Sequence, residues 1–526
     1  TLGVGSDFMK KNLFGVSLLT ITCLYGVLSA FVILIFILTG APVIYGILIS
    51  IIILILQFLI SPIAIDVSMR WFYKAKFNYD MPDYLKNFIG EVCKKYNMKY
   101  PRIGYIDDGA PNAFTYGHTK NDARIVLTRG LFELLSEEEV KSVVAHELGH
   151  ATHYDMLFMT VVQLVPLVLY GIYEIFTDNA DDDDSSKLAI IGIIAYVLYI
   201  ISQYIVLWLS RTREYYADSF AIEETKDPNG LALALVKIGF GLSVKGSRKK
   251  NTANALGIFD SKTSKALVVA ANGEINVGSI KNAMKWEKWN TWAKIYELNS
   301  THPLISNRLE AILSRAPEFG VAPLFAFDLV KENSYTGTFF TELVISFLPF
   351  LTLVLTAIIA CIFSSNAGFI AGLGGIVMVI FMYVRLFRSH KNGPYKETNV
   401  ENLLGEVNVS GVTCIPVTLN GKIIGRGNPG CIFNEDFVIK DETGIMFLDY
   451  NQPIVLANKI FALFRSPEYF DKIVKIRGWY RRSPVPYVEI LDMEVDGKVK
   501  KCHTFTFSKI IYAILMFVFF LIMIFA

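Results

Sequence analysis

The sequence predicts an α-helical polytopic membrane protein with about seven transmembrane helices, a cytoplasmic α+β domain and a small C-terminal all-β domain. Three observations carry this prediction. Of the 526 residues, 53% are hydrophobic and only 19% charged, against roughly 25% charged in soluble domains, and the mean hydropathy is +0.42. Seven apolar stretches are long enough for a bilayer core of about 30 Å. A segment near the C-terminus changes to short, β-branched runs separated by Gly, Asn or Pro.

The seven spans are 14–39, 43–65, 156–176, 188–209, 339–364, 368–388 and 507–526. The first exceeds the usual ~7–15 apolar residues of a signal peptide and no A-x-A-like site follows it, so it is expected to be an anchor. Basic residues set the orientation. Lys10 and Lys11 precede span one, and Arg70, Lys74 and Lys76 follow span two. Arg211 and Arg213 follow span four, Arg385, Arg388 and Lys391 mark the end of span six, and Lys498, Lys500 and Lys501 precede span seven. The opposite loops, "TGAP", "TDNADDDDSSK" and "SSNAG", are nearly free of Lys and Arg. An N-terminus inside the cell satisfies all of them. The run Asp181–Asp184 is then a solvated outer loop, and "KGSRKK" (245–250) a cytoplasmic surface facing anionic lipid.

Five regions follow: two anchoring spans in 1–70, a domain in 71–338 interrupted by the transmembrane hairpin 156–209, a second hairpin in 339–389, a cytoplasmic β-rich domain in 390–503, and a last span in 504–526. The β-rich region is expected to be a small, OB-like barrel. Its "WYRR" (479–482) is taken as solvated strand residues rather than a nucleic-acid stacking surface. A net charge of +2 gives no reason to expect nucleic acid as a partner. The six cysteines, at 23, 93, 361, 414, 431 and 502, form no C-x-x-C pair, which argues against a zinc ribbon or a disulfide framework.

Chemistry concentrates in "SEEEVKSVVAHELGHATHYD". Ser136 and Glu139 form a capping box that starts a helix, with acidic residues in its first turn. One turn then separates His146 from His150, so their imidazoles converge on one ion while Glu147 stands beside them to move a proton. Two histidines partnered within a core are the competing explanation. A catalytic zinc needs a third protein ligand and an open position. A histidine at 156 would serve in one known spacing, but that residue is Met156. His153 is a local alternative. Glu214, in "SRTREYYADSFA", is preferred over it and over a pair of solvated carboxylates. Glu214 and Asp218 share a helical face directly after span four, as in thermolysin-like enzymes, where the aspartate orients a ligating histidine through its other ring nitrogen. This makes the α+β domain a zincin, with its metal at the cytoplasmic membrane surface.

"PNAFTYG" (111–117), "IVLTRGLFELLSEEEVKSVVAHELGH" (125–150), Asp155, "REYYAD" (213–218) and "THPLISNRLEAI" (301–312) occur in an order that resembles the membrane zinc metalloproteases of the HtpX and CAAX prenyl protease family. The resemblance covers roughly residues 1–320 and is nearer the HtpX branch, because one transmembrane hairpin lies between H-E-x-x-H and the glutamate. It implies one Zn2+ per chain on His146, His150 and Glu214, with Glu147 as general base and acid. It also implies an edge strand at Asn112, Ala113 and Phe114 for an extended peptide, with His302 and Arg308 steadying the oxyanion. It says nothing of the region after 320. The activity so implied is endopeptidase cleavage of cytoplasmically exposed segments of misfolded membrane proteins. A prenyl-protein or other site-specific maturation protease is the nearest alternative, and a non-hydrolytic membrane scaffold a more distant one. Expected partners are polypeptide substrates, the lipid bilayer and an unidentified partner of the β-rich domain.

Overall fold

A computed structural model describes residues 65–77, 79–108, 111–178, 185–240, 277–327, 335–363, 366–427, 431–452, 454–483, 485–503 and 510–525, with scattered positions between 20 and 63. Most of predicted spans one and two, the run Asp181–Asp184 and the loop 245–250 lie outside the described residues.

The chain opens its described part with β1 (Lys76–Phe77), α1 (Asp83–Lys95), β2 (Arg102–Ile106), β3 (Ala113–Tyr116) and β4 (Arg124–Thr128). These strands form one sheet in the order β1-β2-β4-β3, with β2 and β4 parallel and the outer pairings antiparallel. β3 is therefore an edge. Helices α2 (Arg129–Leu134) and α3 (Glu137–Thr152) follow. The capping box forms: Ser136 Oγ accepts from Glu139 N at 3.3 Å, and Glu139 Oε2 accepts from Ser136 N at 2.8 Å. The buried Glu139 carboxylate also takes Lys237 Nζ at 2.5 and 2.6 Å, so its charge is compensated.

α3 breaks at His153 and Tyr154, where Tyr154 adopts φ 59°, and the chain re-enters helix as α4 (Asp155–Asp178). α5 (Ser185–Thr225) returns as one unbroken helix of 41 residues, roughly 60 Å long at 1.5 Å per residue. It crosses from predicted span four directly into the α+β domain. Gly149 allows α5 to lie close against α3: a Cβ there would stand 3.2 Å from both Ala217 Cα and Phe220 Cβ. Helices α6 (Pro228–Phe240), α7 (Val277–Trp289), α8 (Thr291–Leu298) and α9 (Ile305–Ser314) complete this region.

α10 (Thr336–Ile362) and α11 (Ala367–Ser389) form the second hairpin. Among the described residues, four helices are long and apolar enough to cross a membrane: Asp155–Glu174, Ile190–Thr225, Thr336–Ile362 and Ala367–Ser389. They fall on predicted spans three to six. A shorter apolar helix, Tyr512–Ile524, falls on the seventh. These exposed apolar helices make the protein a membrane protein.

The C-terminal region runs β5 (Lys396–Glu397), α12 (Val400–Leu404), β6 (Ile415–Arg426), β7 (Phe437–Lys440), β8 (Ile445–Asp449), α13 (Val455–Phe464), β9 (Ile473–Arg482), β10 (Pro486–Val495), β11 (Lys498–Lys501) and α14 (Tyr512–Phe525). β6 pairs with both β7 and β9, β7 with β8, β8 in parallel with β10, and β10 with β9. Five strands thus close into a barrel with no free edge among them.

The barrel shares a core with the α+β domain. One apolar cluster runs from Ala145 on α3 through Trp286 and Leu309 to Val417, Tyr480 and Val488. Trp286 Nε1 donates to Val409 O at 2.7 Å, and Asn290 Nδ2 donates to Val407 O at 2.8 Å. The expectation that "WYRR" is solvated is overturned, since Trp479, Tyr480, Arg481 and Arg482 are all buried. The two cations tolerate burial because each has acceptors. Arg481 Nε donates to Glu489 Oε2 at 3.0 Å, and Arg482 stands 4.7 Å over the Trp286 ring with Nη2 3.8 Å from Glu287 Oε1. Glu287 Oε2 in turn accepts from Ser306 N at 2.7 Å in the first turn of α9, where a carboxylate suits an unpaired N–H. The barrel thereby braces the helix that carries Arg308.

Candidate active site

His146 and His150 lie one turn apart on α3, and Glu214 and Asp218 one turn apart on α5; all four are largely buried. The two imidazole Nε2 atoms are 3.2 Å apart. Glu214 Oε1 lies 3.5 Å from His150 Nε2, and Oε2 lies 3.6 Å from His146 Nε2. His146, His150 and Glu214 are the one metal-competent cluster among the described residues.

Both other ring nitrogens face carboxylates. His146 Nδ1 is 3.0 Å from Asp218 Oδ1, and His150 Nδ1 is 2.7 Å from Asp155 Oδ2. A carboxylate draws the ring proton to Nδ1, so both Nε2 lone pairs face the same point. Two such lone pairs at 3.2 Å repel each other unless a cation sits between them. Tetrahedral ligands each ~2.0–2.1 Å from a zinc ion stand ~3.3–3.4 Å apart, close to the edges of this triangle. The residues therefore fit zinc.

Glu147 is 2% exposed, and its Oε2 has no hydrogen-bond partner among the described residues. Burial pushes its carboxyl above the usual carboxylate range, against the pull of the two imidazoles. Its backbone carbonyl accepts from Thr115 Oγ1 at 3.2 Å, which pins the edge strand β3 across the helix at this point. Asn112, Ala113 and Phe114 directly precede Thr115 on this edge. Asn112 exchanges backbone bonds with Thr128, donating to Oγ1 at 2.7 Å and accepting from N at 2.9 Å, while its buried Oδ1 has no partner among the described residues.

His302 and Arg308 both reach the site. His302 Nε2 is 3.2 Å from Glu214 Oε1, and burial holds its imidazole below the ordinary range despite that carboxylate. Arg308 is bidentate on Asp218, with Nε to Oδ2 at 2.8 Å and Nη2 to Oδ1 at 2.6 Å, and its Nη1 lies 3.0 Å from Glu214 Oε2. Arg308 thereby holds Asp218 and Glu214 in place. His153, the alternative ligand, turns away to pack its ring 5.7 Å from Phe220 and 6.4 Å from Tyr216.

Asp155 and Arg213 complete the arrangement without having been singled out as site residues. Arg213 is buried, pairs with Asp155 Oδ1 and lies 4.7 Å over the Phe158 ring. The sequence signal for both was an ionisable residue at the edge of an apolar span, where charge is costly without a partner. Asp155→Asn is expected to weaken zinc binding by about 10–100-fold, measured by competition with a chelator. Unchanged affinity would show that the His150 ring is oriented by something else.

The model for Peptidase family M48 matches residues 82–316, which include every residue of this cluster. The Protease HtpX homolog of Methanothermobacter thermautotrophicus is 35% identical over 188 residues, 36% of this chain and 70% of that one. That of Aeropyrum pernix is 27% identical over 279 residues, covering 51% and 84%. The crystal structure of S. mikatae Ste24p aligns with 42% of this chain and 57% of its own at 21% identity, with a TM-score of 0.29, too loose a superposition to define the fold. With its two-helix cluster inside the matched region and a relative matched over most of its length, the chain belongs to peptidase family M48, among the HtpX-like membrane metalloproteases.

Proposed function

We propose that this protein is a zinc-dependent endopeptidase that hydrolyses peptide bonds in cytoplasmically exposed segments of misfolded membrane proteins. The observation that carries the proposal is the placing of His146, His150 and Glu214 on helices that continue toward apolar spans, with the edge of β3 alongside Glu147. Glu214 lies five residues past the predicted inner end of span four, roughly 7 Å along the helix. A site at that height has water available and is within reach of chains emerging from the bilayer. The basic residues flanking the spans favour the cytoplasmic side.

His146, His150 and Glu214 would hold the zinc ion, which when bound would acidify water and draw charge from a carbonyl oxygen. The outward main-chain groups of β3, at Ala113 and Thr115, receive an extended peptide by strand addition, which gives affinity with little dependence on sequence. Glu147 takes a proton as water oxygen bonds to the scissile carbonyl carbon. It returns that proton to the amide nitrogen as the C–N bond breaks. Asp155 and Asp218 keep the ligand rings in register, and Arg308 keeps Asp218 and Glu214 from turning away.

The test is cleavage by purified protein in lipid, with an unfolded membrane protein and a C-terminal isoprenyl-cysteine peptide as separate substrates. Cleavage of the first supports the proposal. Cleavage of the prenylated peptide alone would make the protein a maturation protease, and cleavage of neither would favour a scaffold. The barrel, OB-like in being small and closed, would recruit substrates or partners.

A further inference from the structure

Helix α13 leaves an apolar face bare. Asn458, Phe461 and Ala462 turn into the barrel, while Ile454, Leu456, Ile460 and Phe464 are 55%, 67%, 52% and 73% exposed. Leu456, Ile460 and Phe464 are spaced four apart and make one stripe. The helix contains no acidic residue, and Lys459 and Arg465 stand exposed beside the stripe.

Contacts at two places tie α13 to points where the chain meets apolar spans. At its start, Asn451 O accepts from His503 N at 3.0 Å and Asn451 N donates to Cys502 Sγ at 3.2 Å, just before the chain leaves the barrel for α14. Along its flank, Asn458 Nδ2 donates to Glu435 Oε1 at 2.9 Å and Lys459 Nζ donates to Phe433 O at 3.1 Å. The Phe433 ring lies 5.8 Å from that of Phe72, and Ile432 N donates to Phe72 O at 3.4 Å. Phe72 directly follows an exposed apolar row, Ile55, Leu59, Ile63, Val67 and Trp71, that continues from predicted span two. The bare face of α13 therefore continues a lipid-facing row.

We propose that α13 is an interfacial membrane helix: Leu456, Ile460 and Phe464 enter the boundary of the acyl chains beside Trp71, and Arg465 meets anionic headgroups. An amphipathic helix with aromatic residues and a basic rim is suited to that plane. The barrel is then seated on the bilayer, and the site it braces is held at a fixed height above the lipid. Proteolytic activity is not needed for this, so the proposal stands or falls separately from the proposed function.

The full chain, reconstituted in vesicles of phosphatidylcholine and phosphatidylglycerol, carries the photo-crosslinker benzoylphenylalanine at position 456, 460 or, for reference, 91. Glu91 is exposed one turn before Lys95, which pairs with Glu224, fifteen residues beyond the predicted end of span four, or roughly 22 Å of helix. Irradiation is expected to give lipid adducts at 456 and 460 in several-fold higher yield than at 91. Adducts to a second copy or to added casein in place of lipid, or lipid yields no higher than at 91, overturn the proposal. Ile460→Trp, read by brominated acyl chains above the six native tryptophans, tests it without a bulky probe. Strong quenching is expected, and quenching no greater than for Glu91→Trp contradicts it.

Discussion

Glu147→Gln is expected to lower peptide hydrolysis by about 10²–10⁴-fold, the usual contribution of a positioned general base, while zinc content stays at the wild-type level. The side chain is buried beside the ligand triangle but is not one of its corners, and Oε2 has no hydrogen-bond partner among the described residues. Glutamine fills the same volume and cannot take the proton from water. The check is turnover of a casein-like substrate alongside metal analysis of the same preparation. Equal turnover by wild type and variant would remove the hydrolase reading.

The second large effect is expected at Arg308. Its guanidinium spans Asp218 and Glu214, and all three residues are buried. Arg308→Leu leaves Asp218 without its bidentate partner, a loss on the order of 3–5 kcal/mol where a buried pair is broken. Arg308→Lys restores charge but not the planar fork, so it is expected to recover only part of the loss. The measurements are thermal unfolding and zinc affinity. Because Asp218 orients His146, zinc affinity falls along with stability, and adding Asp218→Asn to Arg308→Leu returns part of the stability. A group acting on the oxyanion would behave otherwise, lowering kcat with zinc affinity and stability unchanged. That outcome would support the oxyanion role expected of Arg308 from the sequence.

What could be seen in the sequence was what depends on local spacing. His146, Glu147 and His150 follow from a single helical turn, and the Ser136–Glu139 cap follows from a four-residue pattern that forms as expected. The pairing of Asp218 with His146 was also legible, because Glu214 and Asp218 had to share a face. Contacts made across the fold were not. Arg308 lies 90 residues from Asp218, and nothing in its own segment shows that it grips that carboxylate. Asp155 stood in the sequence only as a place in the family order, and its partner appears only where α5 brings Arg213 against it. "WYRR" looked solvated because two arginines in a strand usually are; Arg481 is compensated inside the barrel by Glu489, and Arg482 by the docking of the barrel on Trp286 and Glu287. Gly149 carried no visible signal either, since its need arises from the approach of a helix more than sixty residues away.

Zinc stoichiometry of the purified chain beside Glu214→Ala, each after dialysis against a weak chelator, tests the shared ligand set most directly. Two imidazoles alone should not retain the ion, so about one equivalent is expected in the wild type and little in the variant. Full retention by Glu214→Ala would mean that the helix returning from the membrane supplies no ligand, and the active site built here would be wrong.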